Sequence, residues 1–182
     1  MAETAYATND EKSAPSDPLP AWVNPDLDRL LVVKKVEGDD FRSWATSLVE
    51  LPAGALFARI NGVTVCGPSW SSVQAGRNLH IDLNSKLVYV NHSCAPTLEW
   101  DMERMEVRVS RNRDLKKGDQ LSFFYPSTEF RMARPFDCWC GAGEGVCLGR
   151  VSGAAELDTE RLGSYWINRH ISEMLEEASR GG

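Results

Sequence analysis

Three cysteines near the end of the chain constrain its fold more than any other feature. They lie in the run CWCGAGEGVC, where one residue separates Cys138 from Cys140 and a glycine-rich stretch leads to Cys147. Thiolates at this spacing can occupy three corners of a zinc tetrahedron with Zn–S distances of about 2.3 Å, while the glycines let the backbone curl around the ion. A structural zinc site needs a fourth ligand, and the candidates are Cys94 and Cys66. The alternative is three reduced cysteines in a surface loop.

The composition favours one soluble domain. The 182 residues contain five cysteines, an odd number that disfavours a complete set of disulfides, and a hydrophobic content of 42% is sufficient for a core. A formal net charge of -6 disfavours nucleic acid as a partner. Since the chain has no apolar run of about 18 residues and no signal segment, we expect an intracellular, soluble protein of the nucleus or cytoplasm with no membrane partner.

The sequence pattern divides the chain into four segments. We expect a flexible arm over residues 1–22, a β-rich domain over 23–130, a metal-binding loop over 131–150, and a C-terminal helix and tail over 151–182. Apolar residues at near-helical spacing predict one amphipathic helix from Leu157 to about Ser179. This helix would pack on the β body or contact a partner, and the oligomeric state stays open.

Short strands dominate the predicted secondary structure, so the fold class is mainly β, or β-rich α+β. Predicted strands include LLVVKKV from Leu30, ALFARI from Ala55 and KLVYV from Lys86. The dipeptide Asn61-Gly62 is a hairpin signal between the second of these runs and the next β-rich segment.

Two further motifs give the cysteine run a family context. NHSCAP begins at Asn91, and GDQLSFFY ends at Tyr125. Together these motifs resemble the SET-domain family of S-adenosylmethionine-dependent lysine methyltransferases with a post-SET zinc segment, which carry N-H-S-C-x-P-N and G-E-E-L-x-F-D-Y. The resemblance covers about Leu30 to Gly149. It implies a fold of small sheets with a pseudoknot-like N-H-S-C segment and a zinc-bound loop, in which Cys94 is the fourth ligand.

The resemblance also implies a reaction and the residues that serve it. A neutral amine attacks the methyl group of a sulfonium cofactor in line, so that positioning and desolvation provide most of the catalysis. By resemblance Tyr125 is the catalytic tyrosine, Asn91 and His92 contact S-adenosylmethionine, and Phe130 and Phe136 wall the cofactor or substrate pocket. Zinc is the implied structural metal.

Four departures from the family pattern fall where cofactor and substrate are expected. Arg42-Ser43-Trp44 stands in place of G-x-G, so Trp44 should crowd the cofactor pocket. Arg59-Ile60 stands in place of Glu-Tyr, Phe124 replaces the Asp before the tyrosine, and Thr97 replaces the last Asn of the motif. Candidate cofactor contacts are therefore Asn91, His92, Trp44 and Phe136, and candidate substrate-pocket residues are Arg42, Arg59, Ile60, Phe124 and Phe130.

Three functions fit this combination of retained and altered motifs. The leading hypothesis is a methyltransferase that uses S-adenosylmethionine on an amine, either a lysine in a peptide or protein or a small molecule. The second is a SET-like enzyme reused for another reaction on a small molecule without methyl transfer. The third is a zinc-stabilised binding module without catalysis.

Overall fold

The computed structural model describes residues 27–37 and 39–181. The arm expected over residues 1–22 lies outside these residues. The described part is built mainly from short strands: β1 (Leu31–Val36), β2 (Asp39–Ser47), β3 (Leu56–Arg59), β4 (Thr64–Cys66), β5 (Val73–Gly76), β6 (Leu79–Asp82), β7 (Asn91–His92), β8 (Leu98–Asp101), β9 (Glu106–Val109), β10 (Ser122–Phe123), β11 (Phe136–Asp137) and β12 (Arg150–Val151). The α-helices are α1 (Leu27–Leu30), α2 (Thr159–Leu162) and α3 (Arg169–Arg180).

The strands form small sheets rather than one large sheet. β1 and β2 are an antiparallel pair, β3-β9-β8 and β4-β6-β5 are three-stranded antiparallel sheets, and β11 pairs antiparallel with β12. β7 and β10 differ because they pair in parallel. The expectation of a mainly β fold of small sheets is confirmed.

The main core lies between these sheets. Alternation along β8 and β9 turns Leu98, Trp100, Val107 and Val109 inward, and each is fully buried. The indole of Trp100 stacks on Phe123 with ring centroids 4.3 Å apart. This stack connects the central sheet to β10, from which the chain continues into the functional site.

The dipeptide Asn61-Gly62 forms a turn but not the predicted hairpin. Gly62 has a φ of 68°, as a turn of this kind requires. The strands on either side nevertheless belong to different sheets, because β3 pairs with β9 and β4 pairs with β6. The turn therefore transfers the chain from one sheet to another.

The run KLVYV also differs from its prediction as a strand. Lys86–Tyr89 is a 3-10 helix, and the side chain of Ser85 accepts a hydrogen bond from the backbone N–H of Leu87 at its start. Leu87 is buried and Val88 is exposed. One turn of 3-10 helix can bury Leu87 and expose Val88 as well as a strand can. The types of side chain in this run therefore do not distinguish a strand from a 3-10 helix.

The predicted single C-terminal helix is divided into α2 and α3. Asn168 lies directly before α3, where its side chain donates to the carbonyls of Trp100 at 2.8 Å and Ser127 at 2.9 Å and accepts from the N–H of Met102 at 2.8 Å. These buried bonds require the chain to leave the helical path between the two helices. In the described part of the chain, no helix is long and apolar enough to cross a membrane.

A second, smaller core joins the C-terminal segment to the end of β10. Phe124 packs there with Ala154, Leu162 and Ile171, all buried. The Tyr165 ring stacks on Phe124 with centroids 3.6 Å apart and planes 1° from parallel. The C-terminal segment is therefore packed against the body of the protein.

Candidate functional site

The parallel pair of β7 and β10 brings the two motifs together. Asn91 lies opposite Ser122 and His92 opposite Phe123, and the N–H of Ser93 donates to the Phe123 carbonyl at 3.0 Å. The N-H-S-C segment therefore lies directly beside the strand that leads to Tyr125.

Thr97 strengthens this pairing from the position where the family has asparagine. Its buried hydroxyl donates to the carbonyl of Gln120 at 3.1 Å and accepts from the N–H of Ser122 at 3.0 Å. A hydroxyl can make both bonds at once because it is donor and acceptor. The replacement thus retains a polar side chain that links the two segments.

Cys94, Cys138, Cys140 and Cys147 converge in a single cluster. Their ligand atoms lie within 4.8 Å of one another, and the sulfurs of Cys94 and Cys138 are 3.9 Å apart. A zinc tetrahedron with Zn–S bonds of about 2.3 Å has S···S edges of about 3.8 Å, so this donor set fits the ion. Cys66, the other candidate for fourth ligand, lies in β4 and is not part of the cluster.

Backbone and side-chain donors point at the sulfurs of this cluster. The N–H of Leu148 donates to Cys94 Sγ at 3.3 Å, and the N–H of Gly149 donates to Cys147 Sγ at 3.4 Å. Such donors stabilise metal-bound thiolates and orient them. Without a cation, burial raises the pKa of the Cys94 thiol to about 11.

The loop geometry explains how the sequence reaches this arrangement. Gly141 and Gly143 have φ values of 68° and 90°, a region that disfavours residues with a Cβ. The guanidinium of Arg161 in α2 donates to the carbonyls of Gly145, Val146 and Cys147 at 2.5, 3.0 and 3.3 Å. The cysteine loop is therefore held to the C-terminal segment as well as to Cys94.

His92 connects the cysteine cluster to Tyr125. The backbone N–H of Tyr125 donates to His92 Nδ1 at 3.2 Å, so Nδ1 carries no proton and Nε2 does. Nε2 lies 3.3 Å from Cys94 Sγ and donates to it. Burial lowers the pKa of His92 to about 4, which keeps the imidazole neutral in this role.

Tyr125 lies among aromatic rings. Its ring centroid is 4.7 Å from that of Phe123, 5.3 Å from that of His92 and 6.0 Å from that of Phe136. The hydroxyl donates to the carbonyl of Val90 at 3.4 Å. Desolvation, together with the nearby carboxylate of Glu129, raises the pKa of the phenol, so the hydroxyl stays protonated and available as a donor.

A cavity of about 890 Å³ opens beside these residues. Its volume is within the range of about 300–1,000 Å³ that is typical of sites for small molecules and cofactors. The predicted catalytic, cofactor and substrate residues that line it are Arg42, Trp44, Asn91, His92, Tyr125 and Phe136. The parallel strand pair therefore places both motifs on the wall of one cavity.

The segment Arg42-Ser43-Trp44 lines this cavity without closing it. The side-chain amide of Asn91 donates to the carbonyl of Ser43 at 2.7 Å, which ties β2 to the N-H-S-C segment. The Arg42 guanidinium lies over the exposed Trp139 ring, 5.8 Å from its centroid. Trp44 is half-buried, and a cavity of the stated volume remains beside it.

Comparison with known proteins assigns this geometry to a family. The model of the SET domain matches residues 8–126, which is more than half of the chain. The chain belongs to the SET-domain family. It is 45% identical to the methyltransferase flvH of Aspergillus flavus over 161 residues, which cover 88% of this chain and 89% of that protein. It is also 32% identical to the histone-lysine N-methyltransferase Suv4-20 of Caenorhabditis briggsae over 72 residues, which cover 40% of this chain and 22% of that protein.

These findings identify the enzyme class of this SET domain as methyltransferase. The hypothesis that the protein is a binding module without catalysis is accordingly disfavoured.

Four predicted pocket residues of the SET domain lie away from the cavity wall. Arg59 forms an ion pair with Glu106 at 2.7 Å, and Ile60 is buried in the main core. Phe124 and Phe130 pack in the second core cluster. Their places in the family pattern suggested pocket residues, but these side chains pack in the framework around the cavity.

Glu129 is a cavity residue that the sequence analysis of this SET domain missed. Glu129 is buried and lines the cavity together with Tyr125. In the run YPSTEF a single glutamate has the appearance of an ordinary loop residue. The only available signal was its position between Tyr125 and the cysteine loop, because its buried contacts come from β5, more than 50 residues earlier.

Proposed function

We propose that this SET domain transfers a methyl group from S-adenosylmethionine to an amine nitrogen. The observation that carries the proposal is the joint presence of Asn91, His92 and Tyr125 on the wall of one cavity of suitable size. Bound S-adenosylmethionine would supply an electrophilic methyl group on its sulfonium.

The residues of the chain would contribute by binding and orientation. Trp44 and Phe136 offer apolar walls to a cofactor, and the neutral His92 adds a third ring without introducing charge. Tyr125 presents a protonated hydroxyl and Val90 a backbone carbonyl next to it. Dipoles fixed in this way can hold an amine and exclude water at little cost in reorganisation.

We further propose that the four-cysteine cluster holds one structural zinc ion. The donor set of four thiolates and the S···S separation between Cys94 and Cys138 support zinc over harder cations. The ion would fix the cysteine loop against the N-H-S-C segment. Because His92 donates to Cys94 Sγ, the same ion would also hold the His92 ring beside Tyr125.

The acceptor amine is either a protein lysine or a small molecule. The relative named as a histone-lysine methyltransferase supports the first but aligns with 40% of this chain. The relative that aligns with 88% of the chain carries no substrate in its name. We therefore propose an amine as the methyl acceptor, because a protein lysine and a small-molecule amine share this group.

Titration calorimetry with S-adenosylmethionine tests the proposal. We expect one site per chain with a dissociation constant below about 1 mM. Absence of binding at millimolar cofactor would eliminate the methyltransferase mechanism. Binding without methylation of any amine would instead favour a SET-like enzyme reused for a different reaction.

A Tyr125→Phe variant tests the role of the hydroxyl. The ring contacts are retained, so we expect unchanged cofactor affinity and a loss of methyl transfer of about 100-fold, as for removal of one catalytic donor. Tyr89→Phe is the matched control because Tyr89 packs against the main core outside the cavity wall. Equal activity of the Tyr125 variant and wild type would remove the hydroxyl from the mechanism.

A further inference from the structure

We propose that Glu129 binds the ammonium group of the substrate inside the cavity. This inference rests on the proposed function, because it names the group that recognises the acceptor amine. The recognised ligand is a primary ammonium on a short alkyl chain. A hydroxyl on the same alkyl chain, which cannot take up a proton to become a cation near neutral pH, would be disfavoured.

Glu129 is positioned in the cavity wall by β5. Its Oε1 accepts from the backbone N–H of Gln74 at 2.7 Å, and the Thr128 hydroxyl, which also lies 3.2 Å from the Tyr125 carbonyl, is 3.5 Å from the same oxygen. The side-chain Oε1 of Gln74 in turn accepts from the N–H of Phe130 at 2.9 Å. The carboxylate is thus oriented through Oε1 by a segment of β5 that is itself hydrogen-bonded to Phe130, which reduces the ordering that binding would require.

The charge of Glu129 has no partner among the described residues. Glu106, an equally buried glutamate, forms ion pairs with Arg59 at 2.7 Å and Arg108 at 2.6 Å. The buried Asp101 pairs with Arg104 at 2.8 Å. No lysine or arginine of residues 27–37 and 39–181 forms such a pair with Glu129. A buried carboxylate without a cation is costly unless a ligand supplies one.

A purely structural role would not require the negative charge. The bonds from Gln74 and Thr128 need only an acceptor oxygen, and a glutamine at this position would provide one. Desolvation raises the pKa of Glu129 to about 7, so an ammonium ion in the cavity would stabilise its charged form. Glu129 and Tyr125 line the same cavity, so the carboxylate faces the space in which the acceptor amine is proposed to bind.

The test compares two ligands that differ in one group. n-Butylamine reproduces the side chain of lysine, and 1-butanol replaces its ammonium with a hydroxyl. Their affinities are measured by NMR titration at pH 8 with wild type, Glu129→Gln and Glu106→Gln. Glu106→Gln is the matched control because it neutralises a buried carboxylate that does not line the cavity. Thermal unfolding verifies that each variant is folded at the temperature used.

We expect wild type and Glu106→Gln to prefer n-butylamine by about 10-fold or more, as for a charge-assisted hydrogen bond. Glu129→Gln should lose this preference. A wild type without preference, or a Glu129→Gln variant that retains it, would overturn the ammonium site.

A measurement on the wild type alone covers the case in which Glu129→Gln does not fold. In protein labelled with ¹³C at the glutamate carboxyl groups, n-butylamine should shift one buried resonance and 1-butanol should not. Equal shifts with both ligands would contradict the proposal. If S-adenosylmethionine binds but n-butylamine is not preferred over 1-butanol, the ammonium site is wrong and the proposed methyl transfer still stands. If n-butylamine is preferred but S-adenosylmethionine does not bind, the ammonium site stands and the proposed methyl transfer is wrong.

Discussion

Thr97 shows how one side chain supports the pairing of the two motifs. Its hydroxyl makes two hydrogen bonds, one to the Gln120 carbonyl and one to the Ser122 N–H at the start of β10. Thr97→Val preserves the shape but leaves the Ser122 N–H and the Gln120 carbonyl without this partner. We expect a loss of about 1–3 kcal/mol in the free energy of unfolding, measured by urea denaturation.

The control for Thr97 is the exposed Thr159, at the start of α2. Thr159→Val should change stability by less than about 0.5 kcal/mol. A similar small effect for Thr97→Val would show that the paired segments do not depend on this hydroxyl.

Glu129 gives the protein a stability that depends on pH. Burial raises its pKa from an ordinary value of 4.5 to about 7, so the folded protein binds this proton more tightly than the unfolded chain does. Ionisation of the buried carboxyl group therefore lowers the free energy of unfolding as the pH rises from 4.5 to about 7, and above about 7 this loss is complete. Glu129→Gln removes it, and between pH 5 and pH 8 the variant should gain about 2–3 kcal/mol over wild type.

Urea denaturation at the two pH values measures this gain. His170 lies nearby, since its Nε2 is 2.9 Å from the carbonyl of Thr128, but it titrates in both proteins and cancels in the difference. The exposed Glu50→Gln is the control and should show no such gain. A Glu129→Gln variant with the same pH dependence as wild type would mean that the carboxylate is not buried in solution.

At the scale of the elements, we expect the zinc content of the protein to depend on the cysteine loop. Cys138→Ser removes one of four converging thiolates and should lower the zinc content from about one ion per chain to near zero. Elemental analysis after purification without chelator measures it. Cys66→Ser is the matched control, because Cys66 lies in β4 outside the cluster and its replacement should leave the zinc unchanged. Zinc retained by Cys138→Ser, or absent from the wild type, would contradict the assignment.

The elements also show which sequence patterns were sufficient. Alternating and β-branched runs predicted β1 and β3, and the glycine-rich spacing predicted a cysteine loop whose thiols do converge. Local patterns failed where a distant contact decided the structure. The C-terminal helix is interrupted because Asn168 forms hydrogen bonds with residues that lie 41, 66 and 68 positions earlier in the chain. Helical periodicity carries no information about these distant contacts.

At the scale of the whole molecule, two buried clusters should unfold as one unit. Ile171 is fully buried in the second cluster, and Phe124, adjacent to Phe123 of the main core, links the two. Ile171→Ala should cost about 2–5 kcal/mol and shift a single cooperative transition, monitored by calorimetry. The exposed Val65→Ala is the control and should leave the transition in place. Two separate transitions, with only one affected by Ile171→Ala, would show that the clusters are independent.

The topology limits how much of the site could be predicted. Motif order predicted that Asn91, His92 and Tyr125 belong together, and the parallel pairing of β7 with β10 supplies the contact. The position of Glu129 beside Gln74 depends on the placement of the sheet β4-β6-β5, for which the sequence offered no pairing signal. Its role as a cavity residue could be found only from the assembled structure.

The contacts of Cys94 have a consequence for the order of events during synthesis. Its sulfur meets Cys138, 44 residues later, and its carbonyl accepts from the Tyr165 hydroxyl, 71 residues later, at 2.8 Å. Residues up to about Tyr165 must therefore have been synthesised and have emerged from the ribosome before the N-H-S-C segment acquires its final neighbours. Until then the nascent chain carries the Cys94 thiol without its neighbouring cysteines, so the segment from Cys138 to Tyr165 acts on the preceding part of the chain as a folding partner.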